Sequence, residues 1–218
     1  INTGSNRLIL EPNTSVAASA SSWVNGNLEI ESLPGFGGGF FEVGDETFKA
    51  PIFIGFDCFT GGSVLVKTFG SDHPNFATSG IDPNKSINRF WSIQALNGLT
   101  FSNGSITVNP TNDIDPGADF SNFIAAKFDG ANWSLPTIQN NGSSISITDI
   151  SSFGDLVIGE ALPNVSGSPF RTTASGDWFN NNIWEYFDGT NWVASPISPD
   201  QSSGPISIET GHNVEVNF

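Results

Sequence analysis

The stretch Phe128-Asp-Gly-Ala-Asn-Trp133 recurs further along the chain as Phe187-Asp-Gly-Thr-Asn-Trp192. An Asp-Gly pair between apolar segments indicates a tight β-hairpin, because Gly tolerates positive φ and the Asp side chain can bond the backbone two residues on. The Trp after each turn is then expected to pack across its own hairpin. The sequence therefore predicts one β-hairpin used twice, although convergent turn chemistry would give the same pattern.

The composition extends this pattern to the whole chain of 218 residues. It holds 19 Phe and six Trp, which favour strands, and 24 Gly and 13 Pro, which favour turns. Many short strands at close spacing predict an all-β fold, with an antiparallel β-sandwich over residues 1–162. A polar linker, 162–169, then leads into a smaller Trp-rich β segment over 163–218, which either docks on the sandwich or begins a following module.

Two local features add to this prediction. Asn25-Gly26 lies inside an apolar segment and predicts a tight hairpin there. Cys58, the only cysteine, lies in an apolar run and is expected to be a buried small hydrophobe rather than a reactive thiol.

The net charge of the chain limits the classes of partner that it can bind. The chain has 22 acidic and seven basic residues, for a net charge of −15, which argues against nucleic acid and anionic membrane surfaces. No apolar run is long enough to predict membrane insertion. The chain begins at Ile1 and contains no Met, so we expect a piece of a larger protein.

Several short motifs, taken in order, resemble a module of giant secreted cell-surface proteins of the Bacteroidota type. These motifs are Thr3-Gly-Ser-Asn6, Trp23-Val-Asn-Gly26, Phe41-Glu-Val-Gly44, Asn88-Arg-Phe-Trp-Ser-Ile93, Ile150-Ser-Ser-Phe-Gly-Asp-Leu-Val-Ile-Gly159, Ser175-Gly-Asp-Trp178 and Gly211-His-Asn-Val-Glu-Val216. The chain departs from that family's pattern at Glu42, where proline is common, and at Phe90, where tyrosine is usual. The resemblance implies type IX secretion, display on the cell surface, an adhesive or structural role, and no defined catalytic residues.

One acidic loop is a candidate metal site. Asp113, Asp115 and Asp119 cluster around a Gly-containing turn. Calcium is bound by several carboxylate and carbonyl oxygens in flexible geometry, so these three residues predict a Ca²⁺ site. The spacing does not match an EF-hand loop, and an ordinary acidic loop is the alternative that the sequence favours.

Four aromatic residues lie close together in the second half: Trp178, Trp184, Tyr186 and Trp192. Exposed and coplanar, they would form a platform for stacking on sugar rings. Packed together, they would instead be the core of a short module that has few aliphatic residues.

Residues for catalysis are harder to find. A Ser-His-Asp hydrolase needs a nucleophile elbow, and none accompanies the Asp72-His73 pair. We expect His73 to be solvated in the polar loop 70–86, and His212 to lie in a turn at a strand edge. No motif places two carboxylates on one strand face, as a glycosidase would require.

The leading prediction is therefore a non-enzymatic extracellular module of a larger surface protein or filament, with a structural or adhesive role. Its expected partners are neighbouring modules or copies of itself. The alternative is a carbohydrate-binding module that uses exposed aromatic residues on surface glycans and is stabilised by calcium.

Overall fold

The computed structural model describes residues 1–19, 21–109 and 113–217. The chain divides into two compact units, 1–161 and 162–218, so the boundary falls one residue before the predicted one. Among the described residues, regular structure is almost entirely β, with short 3₁₀ turns at Phe76–Thr78, Phe120–Asn122 and Asn181–Ile183. None of their helices has the length and apolarity needed to span a bilayer.

The first unit contains two sheets. The larger one has nine strands among the described residues. Seven of them follow the order β1-β2-β6-β8-β14-β10-β11, while β4 pairs with β2 and β7 pairs with β14. These strands are β1 (Asn2–Leu10), β2 (Val24–Ser32), β4 (Val43–Gly44), β6 (Gly62–Phe69), β7 (Ile81–Ser86), β8 (Phe90–Leu96), β10 (Phe123–Phe128), β11 (Trp133–Ser134) and β14 (Asp155–Ala161). Most neighbours are antiparallel, but β2 pairs in parallel with β1 and β4.

The second sheet of this unit has five described strands in the order β12-β13-β9-β5-β3. They are β3 (Gly35–Phe41), β5 (Ile52–Cys58), β9 (Phe101–Val108), β12 (Ile138–Asn140) and β13 (Ile145–Ile150). All of these pairs are antiparallel.

The two sheets enclose one apolar core, because alternate side chains of each strand face the other sheet. Leu28 and Trp91 come from the larger sheet, and Ile54, Phe56 and Ile106 come from the smaller one. This arrangement confirms the predicted antiparallel β-sandwich.

The second unit is a smaller β structure with two described sheets. One has the order β18-β17-β15-β19 and the other pairs β16 with β20. The strands are β15 (Phe170–Thr172), β16 (Gly176–Asp177), β17 (Trp184–Phe187), β18 (Trp192–Ala194), β19 (Ile206–Ser207) and β20 (Val214–Glu215). Val165, Phe170, Ile183 and Trp184 form its buried core, which confirms a Trp-rich β segment.

The repeated hairpin is present in both units with the same turn. Asp129 Oδ1 accepts hydrogen bonds from the backbone N–H of Ala131 and Asn132, at 2.8 and 2.7 Å. Asp188 Oδ1 accepts the equivalent bonds at 2.7 and 2.8 Å. Phe and Trp are cross-strand partners in both copies. Both stretches therefore form β-hairpins with the same turn, as predicted.

The predicted hairpin at Asn25-Gly26 is wrong. Strand β2 runs without interruption through both residues. Gly26 has φ +117°, and a Cβ atom there would lie 2.1 Å from Thr3 Oγ1. The glycine is therefore required where β1 approaches closely, not where the chain turns.

Candidate functional site

The predicted Trp platform is largely the core of the second unit. Trp184 is only 1% exposed, and its ring meets that of Trp178 at 67° with centroids 5.1 Å apart. The indole N–H of Trp184 donates to the Trp178 carbonyl oxygen, and that of Trp178 donates to Pro199. Both rings are fixed by packing and hydrogen bonds, so they do not lie in one exposed plane.

The other two aromatic residues of that group are also partly buried. Tyr186 lies 6.3 Å from Phe170, ring centroid to ring centroid. The guanidinium of Arg171 lies 4.5 Å from the centroid of the Trp192 ring, and Phe187 packs 5.6 Å from that ring. One face of Trp192 is thus occupied by a cation. Trp178, Trp184 and Tyr186 belong to the packed cluster of this unit, and Trp192 packs separately against Arg171 and Phe187, so the four do not form one sugar platform.

The three predicted calcium ligands each have a separate role. Asp113 Oδ2 accepts two hydrogen bonds from Arg89. Asp115 accepts from Ser86 and Asn88, while Asp119 caps the 3₁₀ turn that follows it through the Ser121 N–H.

These contacts hold loops together and do not point the three carboxylates at a common centre. No group of three or more His, Cys, Asp or Glu residues in the described ranges is arranged to hold a metal ion.

The prediction that His73 is solvated is wrong. Its side chain is 5% exposed and lies 5.0 Å, centroid to centroid, from each of Phe90, Phe128 and Trp133. Nδ1 accepts the Asn75 N–H, which places the proton on Nε2, where it faces Asp155 Oδ2 at 3.0 Å. The loop containing His73 covers an apolar cluster on the outer side of the larger sheet, which explains the burial.

The remaining candidates are structural as well. His212 Nδ1 lies 2.8 Å from Thr172 Oγ1. Cys58 is buried, and burial raises the pKa of its thiol even though the group faces the Thr60 carbonyl oxygen. A raised pKa keeps the thiol protonated, which is the behaviour of a small core residue.

Two of the most exposed aromatic residues lie on a different surface, the outer face of the five-stranded sheet. Phe36 and Phe40 on β3 are 71% and 60% exposed. Phe40 pairs across the strands with Phe53 on β5, and their ring centroids are 4.8 Å apart. We call this surface the aromatic–hydroxyl face, defined by Phe36, Phe40, Phe53, Thr107, Ser146 and Gln139.

Strand pairing fixes the order of residues on this face. Phe40 is opposite Phe53, Phe53 opposite Thr107, Thr107 opposite Ser146, and Ser146 opposite Gln139. Directly opposite residues share one face of a sheet, so rings, hydroxyls and an amide form one row across all five strands. The hydroxyls of Thr107 and Ser146 are 3.0 Å apart.

Glycines determine where the two exposed Phe rings lie. A Cβ atom at Gly38 would sit 2.1 Å from the Ile54 carbonyl oxygen, and Gly38 has φ +103°. At Gly55 a Cβ atom would be 3.2 Å from the Phe36 ring and 3.3 Å from the Phe53 ring. The Phe36 ring therefore lies across the backbone of Gly55 beside Phe53, and glycine is required at Gly38, where β3 approaches β5 closely.

The glycine-rich sequence of β3 is unusual, but it does not by itself show that this face exists. The stretch Gly35-Phe-Gly-Gly-Gly-Phe-Phe41 sets three Phe residues among glycines, but its outward residues become evident only from its register with β5. Comparison with models of known protein families gave no match, and comparison with curated proteins gave no significant match. The geometry of this face therefore carries the functional inference.

Proposed function

We propose that this chain is a non-enzymatic structural or adhesive module of a larger extracellular surface protein or filament, and that it joins a second copy through the aromatic–hydroxyl face. The observation that carries the proposal is the pair of Phe side chains held outward on β3. Large apolar side chains grouped on a sheet face are a usual mark of an association surface.

Charge and register support a copy-to-copy contact. Phe36 and Phe40 lie on the last strand of their sheet, where a partner can approach from the side. The side chains of the Phe40–Gln139 row are uncharged, whereas Phe36 lies directly opposite Asp57, an exposed carboxylate that accepts a hydrogen bond from Asn103. Because Asp57 lies outside the row, two copies with a net charge of −15 each can meet along the row without direct repulsion. A small patch of this kind supports weak association that multiple modules in one protein would strengthen.

Sedimentation velocity over a range of protein concentrations tests this proposal. We expect the wild-type chain to show concentration-dependent self-association, and the Phe36→Ser/Phe40→Ser double variant to remain monomeric. Phe179→Ser is the matched control, because Phe179 is 59% exposed and belongs to the other unit. The proposal fails if the double variant and the control associate to the same extent as the wild type.

A second candidate is favoured by the same row of residues. Aromatic rings beside hydroxyl and amide groups are the combination that binds a neutral sugar, through stacking and hydrogen bonds. The carbohydrate-binding hypothesis thus moves from the Trp-rich segment to the sandwich.

A glycan array separates this candidate from self-association. If the face binds neutral glycans, Phe40→Ser removes binding while Trp192→Ala leaves it intact. Loss of binding in the Trp192 variant alone would return the sugar site to the second unit, and an array without any signal would leave the structural role.

A further inference from the structure

A groove opens in the larger sheet beside the C-terminal end of β8, because β14 is too short to pair with that end. Strand β8 continues to Leu96 and stays paired with β6 over its full length. On its other side β14 covers it only at Trp91 and Ser92, followed by one hydrogen bond from the Ile93 N–H to the Gly154 carbonyl oxygen. Beyond Ile93, therefore, β8 pairs on one side only, as far as the described residues are concerned.

The chain before β14 turns away from the sheet at this point. A Cβ atom on Gly154 would lie 2.2 Å from the Phe128 carbonyl oxygen, so the backbone passes very close to the end of β10. The preceding residue, Phe153, stacks on Phe101 with ring centroids 4.4 Å apart. These two rings form an apolar floor under the open end of β8.

The groove has the width of one strand. Strands β8 and β10 both pair with β14, so they are separated by two strand spacings, about 9.6 Å. Strand β10 ends at Phe128, opposite the first residue of β14, so beyond that point the far wall of the cavity is the Phe128–Gly130 turn of the repeated hairpin. The cavity has a volume of about 650 Å³.

The backbone of β8 offers hydrogen bonds to this groove. In an antiparallel ladder, the N–H and C=O groups of alternate residues point to the same side. Because the Ile93 N–H points towards β14, the N–H and C=O of Ala95 point into the groove. Ala95 lines it and its side chain is exposed, so a ligand can reach both groups.

The rim of the groove carries more acidic than basic charge, because two carboxylates line it and one cation, Lys127, lies beside it, bonded to Ser152. Asp129 and Asp155 both line it, and Asp155 faces the buried His73. Backbone hydrogen bonds from Asn132 and Ala131 lower the pKa of Asp129, so its carboxylate is charged at neutral pH. Both bonds are accepted by Oδ1, which leaves Oδ2 as the atom for a cationic ligand group.

A second copy of this chain is a poor source for such a cation. Its seven Lys and Arg residues already have partners: Arg7, Lys49, Lys85, Arg89 and Arg171 with carboxylates, Lys127 with Ser152, and Lys67 with the ring of Phe69. The occupant that fits the charge is therefore a segment of a different protein.

We propose that this groove binds a short, extended, basic peptide segment of a partner protein. The segment adds to β8 as a strand, bonds the N–H and C=O of Ala95, rests apolar side chains on Phe101 and Phe153, and places a Lys or Arg near Asp129. This partner site is separate from the aromatic–hydroxyl face and does not depend on the function proposed for it.

Two sets of short synthetic peptides test this inference. Both have Val at every second position and Thr or a charged residue at the others, and they differ only in whether the charged residue is Lys or Glu. Fluorescence polarisation is expected to show binding of the Lys peptides alone, and amide chemical shifts should change at Ala95 and Gly130. Equal affinity for both sets, no binding of either, or shift changes elsewhere would overturn the proposal.

Variants locate the contact. The N–H that Ala95→Pro removes faces the groove and not β6, so we expect affinity for Lys peptides to fall at least about tenfold. Ala95→Val keeps the N–H and should bind like the wild type. If the Val variant loses as much affinity as the Pro variant, the backbone bond is not the contact.

A charge variant keeps the test valid even if Ala95→Pro does not fold. Asp129→Asn retains the Oδ1 acceptor for the turn and should abolish the preference for Lys over Glu. Asp188→Asn makes the same change in the other copy of the hairpin and should leave the preference intact. If the Asp129→Asn variant still prefers Lys peptides over Glu peptides, or if sedimentation shows that a second copy occupies the groove, the proposal is wrong.

Discussion

At the scale of single residues, Arg89 joins parts of the first unit that are distant in sequence. Its side chain is 3% exposed, and Nη2 lies 2.5 Å from carboxylate oxygens of both Asp45 and Asp113. Nη1 donates to Thr68 Oγ1 at 3.1 Å. Burial alone would raise the pKa of Asp45, but bonds from the Phe48 and Thr47 N–H groups and from Arg89 bring it below its usual value.

Arg89→Leu is expected to destabilise the first unit by about 3–5 kcal/mol, because it leaves two partly buried carboxylates without their cation. Lys85→Gln is the control, since it removes an ion pair from a Lys side chain that is 47% exposed, and should cost less than about 1 kcal/mol. Urea unfolding followed by Trp fluorescence measures both. Similar costs for the two variants would contradict this account of Arg89.

A second residue-scale prediction concerns Asp82, which is buried near other acids. Burial raises its pKa, and the charges of Glu160 and Asp115 add to this, while bonding by the Asn84 N–H and the charge of Lys85 oppose it. A raised pKa in the folded state means that ionisation of Asp82 opposes folding at neutral pH. Asp82→Asn should therefore raise the melting temperature at pH 7.

The pH dependence of this effect follows from the same shift. As pH falls from the raised pKa of the folded state towards the unfolded value of 3.8, the wild type gains stability by binding a proton. The advantage of the Asn variant should shrink over that window and vanish below it. Thermal melts at pH 7 and at acidic pH measure this, and an advantage that grew on acidification would refute it.

Sequence reasoning succeeded for residues whose environment follows from their type. Cys58 in an apolar run and Trp184 in a Trp-rich segment are both buried, as expected of core residues. It failed for His73, because its burial depends on Phe90, Phe128 and Trp133, which come from other parts of the chain. Contacts of this kind have no local signature.

At the scale of elements, local turn chemistry was the most predictable feature. The Asp-Gly turns gave the same bonds in both hairpins because each needs only four successive residues. Asn25-Gly26 has the composition of a turn, yet its glycine accommodates β1. A glycine required by close packing and one required by a turn look alike until the neighbouring strand is known.

The glycine-rich strand β3 gives the element-scale prediction. A Cβ atom added at Gly98 would meet no atom within 4 Å. Gly98→Ala should therefore lower the free energy of unfolding only by the strain of its positive φ, about 1–2 kcal/mol. Gly38→Ala should cost more, because its Cβ also overlaps the Ile54 carbonyl, and it should disturb Phe36 and Phe40 on the same strand. Urea unfolding gives the two costs, and equal values would contradict the close approach.

At the scale of the whole molecule, the predicted fold class was correct because strand periodicity and turn spacing repeat along the entire chain. The aromatic–hydroxyl face was not predictable, because it arises from the register of five strands that are not consecutive in sequence. The sequence directed attention to Trp residues, which are largely packed inside, while the exposed rings belong to Phe residues set among glycines.

Each unit has its own buried cluster, so the first unit should fold without the second. A chain that ends at Ala161 is expected to unfold cooperatively and to keep dispersed amide signals. Circular dichroism and NMR spectra measure this. A disordered product would show that the sandwich requires the Trp-rich segment.

The central claim is that copies of this chain meet at the aromatic–hydroxyl face. Amide hydrogen exchange, measured by mass spectrometry at increasing protein concentration, tests it most directly because it locates the contact. We predict that exchange slows in peptides covering β3 and β5 and stays constant in the second unit. Exchange of β3 and β5 that does not change with concentration, or protection confined to other strands, would contradict the claim.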